Sequence, residues 1–75
     1  MESYKTSDIV LAAYLRLSGC QIIGIEKEGR QGTFVFASVD ESLIRTFGLG
    51  NATVEPVAFH GAIRQLTTSV RLVDA

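Results

Sequence analysis

Residues 21–37 read QIIGIEKEGRQGTFVFA, and the class of fold follows from them. Two runs rich in β-branched and aromatic residues flank Glu28–Gln31, and Gly29 within this polar segment can adopt the positive φ of a tight turn. The pattern predicts an antiparallel β-hairpin, with strands over about residues 21–27 and about residues 32–37.

Both faces of the predicted hairpin carry apolar side chains. Alternate residues of a strand point to the same face. The side chains that this rule assigns to one face of each strand are Ile23, Ile25, Phe34 and Phe36. Ile22 and Val35 point to the opposite sides. One face can pack on helices, and the other needs a cover.

A helix is predicted before the hairpin, over about residues 7–18. Thr6 or Ser7 can cap it, with Asp8 in its first turn at the positive end of the helix dipole. Gly19 suits the left-handed residue that follows a helix. Apolar residues cover most of the circumference, which is typical of a buried helix that contacts two surfaces.

Two further helices are predicted after the hairpin. Ser38 and Glu41 match a capping box, which predicts a short helix over about residues 39–47. Pro56 favours the first position of a helix, here over about residues 56–72. The apolar residues that repeat every three or four positions along this last helix are Phe59, Ile63, Leu66, Val70 and Val73.

The predicted order of elements is α-β-β-α-α. It indicates an α+β fold, a small single domain over residues 1–75 in which a two-stranded antiparallel hairpin packs on helices. A two-stranded sheet is weak on its own. A second copy of the chain could therefore complete it.

Composition excludes several classes of protein. Hydrophobic residues make up 47% of the chain and charged residues 20%, which excludes intrinsic disorder. Seven Lys and Arg stand against eight Asp and Glu, so the net charge of −1 creates no strong general attraction to nucleic acid or to an anionic membrane. The longest apolar run, residues 9–15, is too short to span a membrane. Together with the lone Cys20, these features favour a cytoplasmic protein with no membrane partner.

The apolar fraction is high for so short a chain. A domain of this size buries only about 60% of the surface that its unfolded chain exposes, so apolar surface is left over. We therefore expect a non-enzymatic protein that acts by binding another macromolecule and forms a homo-oligomer, with an unknown protein as a further partner. The residues expected at the self-contact are Ile22, Val35, Leu66 and Val70.

No residue pattern points to catalysis. Cys20 and His60 are the only Cys–His pair that the sequence offers, and no motif of a nucleophilic enzyme surrounds either residue. One Cys and one His are also too few for a usual zinc site. The segment Gly48–Asn51 follows a predicted helix and lacks the lysine of a phosphate-binding loop, so it predicts a helix end and a turn. We expect neither an enzyme nor a bound metal or cofactor.

A basic stripe supports an alternative function. Four of the eight carboxylates lie at predicted helix starts, where they cap the helices and complement their dipoles, and these are Asp8, Asp40, Glu41 and Glu55. The polar residues that recur at spacings of four and three along the last helix are His60, Arg64, Thr67 and Arg71. An exposed, solvated helix face is the ordinary explanation of such a stripe. The alternative is a nucleic-acid-binding accessory protein, and its phosphate contacts would come from Arg64, Arg71, Arg30 and Arg45.

Phe34 and Phe36 allow two interpretations. Two aromatic side chains at positions i and i+2 of a strand can stack on the bases of a nucleic acid. Core packing is favoured, because the chain has only six aromatic residues with which to fill its interior.

Several of these segments, taken in order, resemble a known family. They are Lys5–Asp8, Leu11–Leu15, Ile23–Glu26, Thr33–Phe36, Val54–Pro56, Phe59 and Ala62–Arg64. Together they are similar to short bacterial and bacteriophage proteins catalogued only as a domain of unknown function. The resemblance implies a phage or mobile-element setting, in a bacterial or phage-infected host cell, and it supplies no catalytic residue and no ligand.

Overall fold

Residues 3–73, the part of the chain that the structure describes, form three strands and three helices in this computed structural model. The elements in chain order are β1 (Tyr4–Thr6), α1 (Ile9–Leu17), β2 (Ile22–Glu28), β3 (Gln31–Phe36), α2 (Glu41–Gly48) and α3 (Pro56–Leu72). The α+β class and the predicted order are confirmed, with one short strand added at the start. None of the helices within this part of the chain has the length and apolar character needed to cross a membrane.

The added strand corrects the prediction of a two-stranded sheet. β1 pairs with β3 antiparallel, with Tyr4 opposite Phe36 and Thr6 opposite Phe34, and the strand order is β1-β3-β2. β3 is therefore the central strand and makes ladder hydrogen bonds on both edges. The strand that enlarges the hairpin comes from the same chain, not from a second copy.

A β-bulge changes which side chains of β2 share a face. Ile22 pairs with Phe36 and Gly24 with Val35, so Ile23 is the extra residue of the bulge. Ile25 then pairs with Phe34. Ile22 and Ile25 consequently lie on the face of the sheet that carries the two phenylalanines, and Ile23 is 58% exposed. The predicted grouping of Ile23 with Ile25, and of Ile22 on the opposite side, is wrong for this reason.

The first two helices each begin two residues later than predicted, because an aspartate caps each of them. Asp8 accepts hydrogen bonds from the backbone amides of Val10 (2.9 Å) and Leu11 (3.3 Å), whereas Thr6 ends β1 and accepts from the amide of Asp8. Asp40, in place of the predicted Ser38, accepts from the amide of Ser42. A carboxylate is the stronger acceptor at a helix start, since it also complements the dipole.

The third helix begins as predicted at Pro56. Glu55 is the capping residue, and its carboxylate accepts a hydrogen bond from the amide of Ala58. Proline suits this position, because the first helical amide has no partner inside the helix.

The core lies between one face of the sheet and the helices. Phe34 and Phe36 are 1% and 0% exposed, and all residues from Leu11 to Leu15 are buried with them. α1 contacts α3 on one side and α2 on another, where the rings of Tyr14 and Phe47 stack with centroids 5.9 Å apart. The prediction of a helix buried against two surfaces is confirmed. The shortest dimension of the molecule, 18 Å, fits one sheet layer and one helix layer.

Candidate functional site

The carboxylates and the arginines of the described residues are largely separated. Asp8, Asp40 and Glu55 cap the three described helices, and Glu41 lies in the first turn of α2. Among residues 3–73 the only ion pair joins Nζ of Lys5 to a carboxylate oxygen of Glu26 at 3.2 Å. No arginine of the described part takes part in an ion pair, so the guanidinium groups are left to face solvent or a ligand.

Two arginines line a groove on the described surface. This Arg16–Arg64 groove has a volume of about 650 Å³ and lies between the end of α1, β2 and α3. The apolar residues that line it are Ile22, Ile25 and Leu66, and the polar residues that line it are Arg16, Arg64, Gln65, Thr68 and Ser69. No described carboxylate is among these residues. The groove therefore combines two cations with hydroxyl and amide groups that can donate hydrogen bonds to an anion.

Two further arginines line a second groove near the hairpin turn. This Arg30–Arg71 groove has a volume of about 360 Å³. The residues that line it are Ser7, Ile9, Arg30, Gln31, Gly32, Phe34, Thr67, Val70 and Arg71. The turn of the hairpin brings Arg30 beside the last turn of α3, and Gly29 allows that turn with a φ of +59°. Within the described residues, no Asp or Glu lines this groove either.

The two grooves follow opposite flanks of α3. An α-helix has about 3.6 residues per turn, so Gln65 and Ser69 lie on one side of the buried Leu66, and Thr67 and Arg71 lie on the other. The first two residues line the Arg16–Arg64 groove, and the second two line the Arg30–Arg71 groove. Arg64 and Arg71 are seven residues apart, so they lie at nearly the same angle on the exposed side of α3, and each lines a different groove.

The structure brings together only part of the predicted nucleic-acid-binding set. Arg30 and Arg71 meet in one groove, as the alternative function requires, whereas Arg64 lies in the other groove with Arg16. Arg45 is exposed on α2 and lines neither groove. Sequence reasoning missed Arg16, although an arginine in the last turn of an otherwise apolar helix was a signal that this end reaches the surface.

The four residues predicted for self-association do not form one surface. Leu66 is 3% exposed in the core, Ile22 lines the Arg16–Arg64 groove, and Val70 packs against Gly32. Val35 alone faces the outer side of the sheet. The Lys5–Glu26 ion pair spans the central strand there, because Lys5 pairs with Val35 and Glu26 pairs with Thr33.

Exposed apolar side chains lie elsewhere, at the start of α3. A groove of about 300 Å³ is lined by Tyr14, Leu17, Ser18, Thr53, Val54, Glu55 and Ala58. Leu17 and Val54 are both large hydrophobic residues that stay exposed in this groove.

Cys20 and His60 lie in different places. Cys20 lines a groove of about 500 Å³ with Ser38 and Asp40, and His60 is exposed on α3 and does not line that groove. Burial raises the pKa of the Cys20 thiol, and the negative charge of Asp40 raises it further. A raised pKa leaves less of the reactive thiolate at neutral pH. Between residues 3 and 73 no three or more His, Cys, Asp and Glu side chains come together as metal ligands.

Comparison with known proteins places the chain in a family. A family model described as "Domain of unknown function (DUF5659)" matches residues 1–71. The match spans nearly the whole chain, so the chain belongs to that family. No curated protein and no solved structure matches it. The expected resemblance to a family of unknown function is confirmed, whereas the bacterial or bacteriophage setting stays a prediction.

Proposed function

We propose that this member of the DUF5659 family is a non-enzymatic accessory protein that acts by binding nucleic acid. The observation that carries the proposal is the placement of four arginines, as two pairs, in two grooves beside α3 that no described carboxylate lines. Guanidinium groups bind phosphate oxygens through two parallel hydrogen bonds, and phosphate contacts supply most of the affinity of nucleic-acid-binding proteins.

The net charge of −1 does not oppose this function. The described carboxylates are mainly helix caps or, at Glu26, partners of a lysine, and they lie outside both grooves. A basic surface can therefore persist on a protein with almost no net charge. The proposal includes a cytoplasmic location in a bacterial or phage-infected cell, which the family resemblance implies.

Fluorescence anisotropy with labelled single-stranded DNA, duplex DNA and RNA tests the proposal. We expect binding of at least one of these at low salt, with a steep loss of affinity at higher salt. The double variant Arg64→Glu/Arg71→Glu should abolish binding without loss of fold, as checked by circular dichroism. The single variants Arg64→Glu and Arg71→Glu should each weaken binding, and Arg45→Glu is their matched control, because it makes the same change of two charge units outside both grooves. Absence of binding to all three probes, or equal losses in the control, would contradict the proposal.

A second candidate function is self-association through the groove at the start of α3. It is favoured by Leu17 and Val54, whose exposed side chains line that groove beside Tyr14. Light scattering should then show a species larger than the 8.1 kDa chain, and Val54→Glu should return it to the monomer. Leu49→Glu, the same kind of change at an exposed apolar residue outside the groove, should leave the assembly intact. A wild-type monomer at high micromolar concentration would exclude this candidate.

A further inference from the structure

The exposed side of α3 has the size and the shape of a major-groove reader. The helix has 17 residues, which at about 1.5 Å per residue gives a rod of about 25 Å. Its exposed residues include His60, Gly61, Arg64, Gln65, Thr68 and Arg71. An α-helix with side chains is about 10–12 Å wide, and the major groove of B-form DNA is about 12 Å wide.

Arg16 and Arg30 lie where the phosphate backbones would lie beside a helix in the major groove. A helix that enters the major groove has one phosphate backbone on each side of it. Here Arg16 on α1 lines one flank of α3, and Arg30 at the hairpin turn lines the other flank. These two arginines come from outside α3, so they can reach the backbones while the exposed side of α3 reaches the bases. We infer, on the basis of the proposed nucleic-acid binding, that α3 enters the major groove of duplex DNA with Arg16 and Arg30 on its two phosphate backbones.

The side chains on the exposed face of α3 suit the edges of base pairs. Arginine recognises the O6 and N7 atoms of guanine, glutamine the N6 and N7 atoms of adenine, and the methyl group of threonine contacts that of thymine. Arg64, Gln65 and Thr68 therefore supply groups of the kinds that read major-groove edges.

The same surface is poorly suited to other nucleic acids. Phe34 and Phe36 are buried in the core, so they are not a platform on which the bases of a single strand could stack. Duplex RNA is A-form, and its major groove is too narrow for side chains to read. Charge complementarity and shape thus favour duplex DNA among the three classes.

The test compares three probes of one sequence at one low salt concentration: duplex DNA, the single strand, and duplex RNA. We expect duplex DNA to bind about tenfold more tightly, or better, than either of the others. Methylation of guanine N7, which lies in the major groove, should weaken binding of the duplex. Thr68→Glu, on the exposed face of α3, should weaken it strongly, whereas Thr53→Glu, the same change at an exposed residue before α3, should not.

The possible failures are distinguishable. Equal affinity for the single strand or for duplex RNA, or no effect of N7 methylation, would overturn the major-groove inference and leave the proposed nucleic-acid binding in place. Absence of binding to all three probes would overturn both.

Discussion

Gly32 lies where β3 passes directly against α3. A Cβ atom added there would come within 2.7 Å of Cγ2 and 2.9 Å of Cγ1 of Val70. Val70 is half-buried and branched at Cβ, so it cannot turn away without disturbing the packed core. We predict that Gly32→Ala lowers the free energy of unfolding by about 1–3 kcal/mol, as measured by urea denaturation.

Gly61 provides the matched control for this prediction. A Cβ atom added at Gly61 meets nothing within 4 Å, and the residue is exposed inside α3. Since alanine is the better helix former, Gly61→Ala should raise the free energy of unfolding by about 0.5–1 kcal/mol. A Gly32→Ala variant as stable as the wild type would refute the close contact with Val70.

The reactivity of Cys20 is a second prediction at the scale of one residue. Burial raises the pKa of its thiol and the charge of Asp40 adds to this, so alkylation by iodoacetamide at about pH 8 should be slow. Asp40→Asn removes the nearby charge and keeps a capping side chain, so it should lower the pKa of Cys20 and speed alkylation by less than about tenfold. Alkylation in the native protein as fast as in the urea-unfolded protein would contradict this account.

At the scale of the element, the start of α2 should depend on pH. The hydrogen bond from the backbone amide of Ser42 lowers the pKa of the Asp40 carboxyl, with smaller help from the side chain of Ser42 and the charge of Arg45. A carboxyl group whose pKa is lower in the folded protein than in the unfolded protein stabilises the fold at pH values above its unfolded pKa. This stabilisation is lost as the pH falls through the folded pKa. Wild type should therefore be more stable than Asp40→Asn at pH 7, and the difference should vanish well below about pH 4.

Urea denaturation of both proteins across this range measures the effect. The asparagine variant is the appropriate reference, because it keeps the hydrogen bond to the helix start but has no charge to titrate. A stability difference that stays constant with pH would show that the ionised carboxylate of Asp40 adds nothing at this cap.

Local patterns were enough to predict the hairpin and the helices. The polar residues before each helix, the proline at position 56 and the three-to-four spacing of α3 are all contained within a few neighbouring residues, although the capping residues of α1 and α2 differ from those predicted. β1 was not predicted, because a strand of three residues is too short to show an alternating hydrophobic pattern. These residues form a strand only because β3 is there to pair with them. The bulge at Ile23 was missed because alternation assumes an unbroken ladder, and one extra residue moves Ile22 to the other face.

At the scale of the whole molecule, the arginine pairs depend on packing between distant segments. The stripe on α3 was predictable from its spacing, because helical geometry is local. The groove that each arginine lines was not, because Arg64 shares a groove with Arg16 of α1, and Arg71 shares one with Arg30 of the hairpin, only after α1 and α3 pack on the sheet. Leu66 illustrates the same limit, since periodicity shows an apolar face but not whether the covering surface belongs to the same chain.

The four grouped arginines also determine how binding should respond to salt. Each phosphate that a protein neutralises on duplex DNA changes the slope of log K against log salt concentration by about −0.9. If Arg16, Arg30, Arg64 and Arg71 each contact one phosphate, the slope is about −3.6. If Arg64 or Arg71 contacts a base edge instead of a phosphate, the magnitude of the slope is smaller. Arg16 and Arg30 are the two arginines that the major-groove inference assigns to the phosphate backbones. We therefore predict that Arg16→Gln and Arg30→Gln each reduce the magnitude of the slope by about 0.9, and that Arg45→Gln leaves it unchanged.

Titrations of labelled duplex DNA at several salt concentrations measure these slopes directly. Equal slopes for wild type and Arg16→Gln would remove the α1 flank from the interface, and equal slopes for wild type and Arg30→Gln would remove the hairpin flank. A reduced slope for Arg45→Gln would instead mean that the response follows total charge, since Arg45 lies outside both grooves. All three arginines carry the same charge and differ only in position. A different effect of each substitution on the slope therefore distinguishes a specific DNA interface from a general electrostatic attraction.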